Sequence, residues 1–137
     1  MHPLARLFAA VLLGLIVAFA VTFAIELVNS QIYPLPPGTN YRDAAAMRAA
    51  MAALPPQALI GVLVGWFLAA VAGASLAVRI ARGDRRPAWL LGLLLVVAAI
   101  ANMRLFPHPI WFWVIGLALY PVAIMLGIGL GSRQTRA

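Results

Sequence analysis

Four long apolar stretches restrict the fold of this chain more than any other feature. Charged side chains are almost absent from residues 7–28, 57–80, 87–103 and 110–130. A bilayer core about 30 Å thick requires about 20 such residues per helix. Backbone polar groups find no water at that depth, so each stretch must be α-helical, and the period-two alternation of a closed barrel is absent. The sequence therefore predicts an all-α, polytopic membrane protein with four transmembrane helices.

The composition leaves no room for a second domain. Hydrophobic residues make up 65% of the 137 residues and charged residues only 9%, so residues 1–137 are expected to form a single transmembrane domain. Cysteine is absent, which excludes disulfides and thiolate chemistry. Lysine is also absent, whereas alanine and leucine are abundant. This bias is typical of GC-rich bacteria and predicts location in the bacterial inner membrane.

The arginines predict which side each loop occupies. Seven lie at one set of helix ends: Arg6, Arg79, Arg82, Arg85, Arg86, Arg133 and Arg136. Only Arg42, Arg48 and Arg104 lie at the other. The positive-inside rule then places both termini in the cytoplasm and the loop 29–56 outside. Arginines at helix ends meet anionic lipid head groups, so the net charge of +7 indicates a lipid bilayer as partner and not nucleic acid.

The first apolar stretch is also compatible with a cleaved signal peptide. Arg6 precedes it, and Ala18-Phe19-Ala20 resembles a cleavage site. An apolar run of about 22 residues is longer than the 7–15 residues usual in signal peptides. The first stretch is therefore expected to remain as an uncleaved membrane anchor.

The outward loop contains its own short helical pattern. Residues 33–38, Tyr-Pro-Leu-Pro-Pro-Gly, cannot form a helix because proline lacks an amide donor. Thr39 or Asn40 is expected to cap a helix from Asp43 to Leu54, with Asp43 in its first turn. Apolar side chains recur there at helical spacing, at Met47, Met51 and Leu54. The pattern predicts a short amphipathic helix at the outer interface.

Small residues at helical spacing predict how the long helices pack. Helices in lipid associate through close backbone approach, which small side chains allow. The glycines assigned to helix packing are Gly14, Gly61, Gly65, Gly73, Gly92, Gly127 and Gly131. The four-residue series through Gly14 continues to Glu26, which is therefore expected to point into the bundle. Packing within one chain and association of two copies both remain open.

One group of polar residues is the candidate functional site. It consists of Glu26, Asn29, Asn102, Arg104 and His108, which the predicted topology places in one outer layer. Glu26 is the only acid within a predicted span, and an ionisable group there is a candidate functional residue. Arg104 or a protonated His108 could pair with it. The cluster is either a structural tie or a site that binds a ligand or moves a proton.

The sequence contains few residues that could bind a metal ion or a cofactor. One histidine and one carboxylate fall short of the three protein ligands of a catalytic zinc site, so no metal is expected. Haem ligation by His108 and Met103 is weaker still, and no other cofactor is expected. No serine, histidine and acid have the spacing of a nucleophilic triad. The sequence therefore favours a protein that is not an enzyme, with no catalytic residue assigned.

The chain resembles a family of small bacterial four-helix inner-membrane proteins of unknown function. The similarity covers nearly the whole length and is carried by Glu26, by residues 33–38, by Gly65-Trp66 and by residues 107–112, Pro-His-Pro-Ile-Trp-Phe. It implies the four-helix architecture and draws attention to Glu26 and His108. Several members of that family have a histidine shortly after the glutamate. Asn29, Ser30 and Gln31 occupy that stretch here.

The chain also partly resembles the small multidrug-resistance transporters. Those proteins have four short helices and a glutamate in the first that exchanges protons for cations, although near mid-membrane, whereas Glu26 comes at the outer end. The leading hypothesis is an accessory or assembly subunit, with a membrane-protein partner or a second copy as its binding partner. The alternatives are a small proton-coupled transporter that uses Glu26, and a membrane-embedded enzyme or ligand-binding protein with an outer polar pocket.

Overall fold

The computed structural model describes residues 2–134 and contains five α-helices. They are α1 (Pro3–Ile32), α2 (Ala44–Ala53), α3 (Pro56–Ile80), α4 (Arg86–Leu105) and α5 (Ile110–Gln134). No strand occurs in this part of the chain, so the predicted all-α class is confirmed. The helices other than α2 are long and apolar enough to cross a membrane. The shortest of them, α4, has 20 residues and a length of about 30 Å.

The long helices extend beyond the apolar runs in the sequence, most of all α1. It has 30 residues because polar side chains continue it at both ends. His2 is its N-cap and accepts a hydrogen bond from the Leu4 amide, and Pro3 occupies the first turn. At its other end, Tyr33 precedes a proline, which disfavours helical backbone there. Local capping chemistry therefore sets these boundaries, and hydropathy alone underestimates them.

The loop between α1 and α3 contains the predicted short helix, but with a different cap. Asp43 is the N-cap of α2, and its carboxylate accepts a hydrogen bond of 2.9 Å from the Ala45 amide. The prediction of Thr39 or Asn40 as the cap is wrong. Both residues instead stabilise the preceding turns: the Thr39 hydroxyl donates to the Pro36 carbonyl, and the Asn40 carbonyl oxygen accepts from the Arg42 amide. Met47 and Ala50 form the buried face of α2.

The other three long helices pack around α3. It contacts α1, α4 and α5, whereas α1 and α5 do not contact each other. α4 also contacts all three of the other long helices. One end of the bundle carries the loop 33–55 and the turn 106–109 and is called the loop end here. The opposite end, with the turn 81–85, the start of α1 and the end of α5, is called the turn end.

Small residues bring the helices into backbone contact. A β-carbon built on Gly14 would lie 2.5 Å from Leu91 Cδ1 and 2.9 Å from the Gly73 carbonyl oxygen. One built on Gly127 would lie 2.7 Å from the Val71 carbonyl oxygen. The other predicted packing glycines also have an atom of another helix within 3.1 Å of a β-carbon built on them: Gly61, Gly65, Gly73, Gly92 and Gly131. These contacts all join helices of the same chain.

Candidate functional site

Glu26 lies near the loop end of α1 and is partly buried. It follows the buried residues Ala10, Gly14 and Ala18 at multiples of four, so the helix period turns its side chain toward the bundle. The buried Trp66 of α3 forms a side-chain hydrogen bond with it. Since an indole can only donate, the carboxylate accepts this bond from the Trp66 N–H. The inward-pointing side chain of Glu26 therefore has a specific hydrogen-bond partner in α3.

An aromatic cluster holds Trp66 in place beside Glu26. Its ring lies edge-on to Phe112 at 5.4 Å and stacks on Tyr120 at 6.3 Å with an interplanar angle of 28°. Tyr120 is itself 4% exposed and lies close enough to Glu26 to be affected by its charge. Such contacts between large rings restrict the orientation of the indole. Side chains from both α3 and α5 therefore line the same cavity as Glu26.

A cavity of about 200 Å³ opens beside this carboxylate, among all four long helices. We call it the bundle cavity. Its polar lining consists of Thr22, Glu26, Trp66, Asn102 and Tyr120. Phe19, Leu95, Ala98 and Ala99 supply the apolar remainder. The bundle therefore gathers hydroxyl, carboxylate, indole and amide groups around a space between its helices.

A second cavity, of about 500 Å³, lies on the loop side of Glu26. We call it the loop cavity. Its polar lining comes from α1, the loop 33–55 and the turn 106–109: Glu26, Asn29, Ser30, Tyr33, Tyr41 and His108. Met51 and Leu54 cover it from α2 and the residues that follow. Because Glu26 lines both cavities, it lies at the boundary between them.

His108 is fixed in the turn between α4 and α5. Its Nδ1 lies 2.7 Å from the Phe106 carbonyl oxygen, and its ring stacks on Phe112 at 4.3 Å. A carbonyl accepts only, so Nδ1 carries the hydrogen, and Nε2 is the free acceptor of the neutral ring. Burial lowers the pKa of His108 below its ordinary value of 6.5, and the bond to Phe106 opposes this shift in part. Burial therefore favours the neutral imidazole.

A third cavity, of about 370 Å³, lies between α2 and the same turn. His108 lines this cavity as well as the loop cavity, and Arg48, Met51 and Trp111 are among its other lining residues. The histidine therefore separates two spaces beneath α2, as Glu26 separates the loop cavity from the bundle cavity. Both residues singled out in the sequence lie at such boundaries.

The five predicted site residues do not form one cluster. Glu26, Asn29 and His108 share the loop cavity, whereas Asn102 lines only the bundle cavity among these three spaces. The Asn29 amide donates a 3.0 Å hydrogen bond to the Ala58 carbonyl and ties α1 to α3. Arg104 is exposed and lines none of the three cavities. Two residues beyond Asn102, it points about 200° around the helix from that side chain.

No basic side chain neutralises Glu26 within residues 2–134. Neither Arg104 nor His108 forms an ion pair with it, and its side-chain hydrogen-bond partner is Trp66. The same part of the chain contains no group of three or more His, Asp and Glu residues that could hold a metal ion. The carboxylate therefore has a neutral donor as its partner.

Sequence analysis missed Trp66, Tyr120 and Thr22 as site residues. Trp66 and Tyr120 sit within apolar helices, where tryptophan and tyrosine need partners for their N–H and O–H groups. An N–H or O–H group within an apolar helix therefore indicates a polar neighbour, but it does not identify which residue that neighbour is. Trp66 and Glu26 are 40 positions apart, and only the pairing of α1 with α3 brings them together.

No protein-family model, curated protein or solved structure matches the chain.

Proposed function

We propose that the chain is a multi-pass protein of the bacterial inner membrane with both termini in the cytoplasm. Support for membrane insertion comes from the four long apolar helices and from their exposed faces, where Phe8, Phe19 and Phe23 of α1 are each more than half exposed. Support for the orientation comes from the arginines, because six of the nine within residues 2–134 lie at the turn end. In this arrangement the amphipathic helix α2 lies at the outer interface.

We further propose that the loop end binds a small molecule that carries a cationic group, with Glu26 as the binding carboxylate. The observation behind this proposal is the position of Glu26, at the boundary of two cavities and without a basic partner in residues 2–134. A charged carboxylate away from water is costly unless a cation compensates it. A bound ligand cation supplies that compensation, and a proton supplies it when the site is empty.

The surrounding side chains suit an organic cation. Phe19, Trp66 and Tyr120 line the bundle cavity, and Tyr33 and Tyr41 line the loop cavity. Aromatic faces attract cations within about 6 Å, most strongly where water is excluded. The two cavities together have the size of ordinary small-molecule sites, which span about 300–1,000 Å³. An ammonium group near Glu26, with the rest of the ligand in the loop cavity, fits this chemistry.

The test compares choline with its uncharged carbon isostere, using purified protein in lipid nanodiscs. Choline should raise the melting temperature in a saturable way, whereas the isostere should have little effect. Glu26→Gln should abolish the response to choline while the protein stays folded. Asp43→Asn is the matched control, since it removes a loop-end negative charge outside both cavities and asparagine also caps helices. Equal responses to both compounds, or a choline response that survives Glu26→Gln, would refute the proposal.

Proton-coupled transport would require the ligand to reach the turn end as well. Close contacts such as Gly14 with Gly73 and Leu91 join the helices there. The arrangement therefore supports one-sided binding more directly than transport. Proteoliposomes that accumulate labelled choline in response to a pH gradient, and lose this accumulation with Glu26→Gln, would favour the transporter instead.

An accessory or assembly subunit is the second candidate function. It is supported by α1, in which only Ala10, Val11, Gly14 and Ala18 are buried out of 30 residues. Such a wide apolar face suits a neighbouring transmembrane helix, and lipid covers it equally well. Solubilisation in a mild detergent separates the two. A larger complex on a native gel supports a subunit, and a single band at the size of the monomer contradicts it.

A further inference from the structure

A groove at the turn end lies on the opposite side of the bundle from the Glu26 site. It runs between the start of α4 and the end of α5 and has a volume of about 460 Å³. Two arginines line it, Arg85 before α4 and Arg133 near the end of α5. Trp89, Met125, Ile128 and Gly129 supply most of the remaining lining. The groove thus joins two positive charges to an apolar floor.

The two arginines are available to an external anion. Both side chains are exposed, and neither forms an ion pair within residues 2–134. The acid nearest to them in sequence, Asp84, is engaged elsewhere, because its carboxylate accepts a 2.9 Å hydrogen bond from the Arg86 amide. The other two acids, Glu26 and Asp43, lie at the loop end. The charge of this groove is therefore positive.

The apolar part of the groove is open because of one glycine. Gly129 is exposed, and a β-carbon built on it would meet nothing within 4 Å. Met125 lies one helical turn further from the turn end on the same side of α5, and it is 55% exposed. Trp89 is 48% exposed on the facing helix and is the kind of side chain that lies at head-group depth. An acyl chain can follow this surface away from the two arginines.

We infer that this groove is a binding site for an anionic phospholipid. The phosphate lies between Arg85 and Arg133, where guanidinium groups from two helices donate hydrogen bonds to its oxygens. One acyl chain follows the surface formed by Gly129 and Met125. The charge of the arginines selects the anionic head group, and the apolar floor selects a lipid over a soluble phosphate. The inference depends on membrane insertion, as proposed above, but not on ligand binding at Glu26.

The test measures phospholipid binding to the purified full chain by native mass spectrometry. Phosphatidylglycerol should bind more tightly than phosphatidylcholine with the same acyl chains, and inorganic phosphate should not displace it. Arg85→Gln and Arg133→Gln should each weaken phosphatidylglycerol binding about fivefold, the effect expected of one arginine near an anionic head group. Arg79→Gln is the matched control, an exposed turn-end arginine outside the groove, and it should change binding by less than about twofold.

Filling the groove provides a second variant that leaves the charge unchanged. Gly129→Leu should fold normally, because its site is open, and should weaken phosphatidylglycerol binding as much as the arginine variants do. Equal losses for Arg79→Gln, equal binding of phosphatidylcholine, or full binding by Gly129→Leu would each overturn the lipid site. Recovery of the protein in detergent-free aqueous extract would instead refute membrane insertion. A choline response that persists in Arg85→Gln would show that the two sites are separate.

Discussion

The two ends of α4 show how differently this bundle is built along its length. At the turn end, Leu91 is fully buried against Gly14 and Gly73, and Gly92 lies against Ile124. At the loop end, Ala99 and Asn102 line the bundle cavity. The same helix therefore packs directly on its neighbours at one end and faces a cavity with a polar lining at the other.

This difference follows from the side chains that face α4. Where glycine and alanine line the neighbouring helices, backbones approach closely and dispersion contacts are dense. Where Glu26, Trp66 and Tyr120 face α4 instead, their polar groups and large rings line the bundle cavity. α1 and α3 remain in close contact at this end, at Gly61 and Gly65. We expect the turn end to determine stability and the loop end to determine binding.

The largest effect is expected from Gly127→Leu at the turn end. A β-carbon there would lie 2.7 Å from both Ala74 Cβ and the Val71 carbonyl oxygen, so α5 must move away from α3. The variant should lose at least about 3 kcal/mol of unfolding free energy, at the upper end of overpacking effects. Chemical unfolding in detergent micelles measures this loss.

Gly129→Leu is the control for that prediction, two residues along the same helix. Its site is open, and leucine has a better helix propensity than glycine, so stability should change by less than about 1 kcal/mol. If Gly127→Leu and Gly129→Leu had equal effects, close packing at the turn end would not be what stabilises the bundle.

A smaller loss of stability is expected from Trp66→Phe at the loop end. This variant keeps an aromatic ring but removes the N–H that Glu26 accepts from, and it should cost about 2 kcal/mol because a partly buried carboxylate loses its donor. Combining it with Glu26→Leu gives a double-mutant cycle. The cost of Trp66→Phe should fall in the Glu26→Leu background, and purely additive effects would show that the two side chains are not coupled.

The helices were predictable from sequence because each one carries its own signal. Apolar runs and flanking prolines identify α3 and α4 closely. α1 was underestimated only at its ends, which are set by capping at His2 and by the proline that follows Tyr33. The cap of α2 was mistaken because Thr39, Asn40 and Asp43 are all good N-cap residues. Sequence does not distinguish among them, since the choice depends on the backbone turns that come before the helix.

The candidate site was only half predictable, because its parts come from different helices. The four-residue period placed Glu26 on the inward face, and the topology brought His108 to the same end. Pairing with Arg104 was a reasonable hypothesis from charge alone, but the rotation of α4 directs Arg104 away from the cavities. The contact with Trp66 depends on the relative depth of α1 and α3, which neither helix encodes by itself.

Asn29→Ala should have a moderate effect on the junction between α1 and α3. The Asn29 amide donates to the Ala58 carbonyl across 3.0 Å, so its loss should cost about 1 kcal/mol. Ser30→Ala is the matched control, because the exposed Ser30 hydroxyl bonds only within its own helix, to the Leu27 carbonyl. Thermal unfolding of both variants measures the difference. Equal melting temperatures would mean that the bond between the helices contributes nothing to stability.

The smallest effect is expected from the protonation of His108. Burial lowers its pKa in the folded protein below 6.5, so the unfolded chain binds the proton first as the pH falls. The contribution of neutral His108 to the free energy of unfolding should therefore be fully present above about pH 6.5. It should decrease as the pH falls toward the folded-state pKa, and the free energy of unfolding should level off below that pKa. Melting temperatures measured between about pH 8 and about pH 5 record this decrease.

His108→Gln should remove that part of the pH dependence. His2→Asn, which replaces the other histidine of the chain with a residue that also caps helices, should leave it in place. If His108→Gln kept the full pH dependence of stability, another group would be responsible, and His108 would not change its charge within the loop cavity over this pH range.

If His108→Gln removed the pH dependence of stability, the loop end would contain a group that becomes cationic at low pH in the same cavity as Glu26. Binding of choline at that carboxylate should then weaken as the pH falls, because a protonated imidazole in the same cavity competes with the ligand for the negative charge.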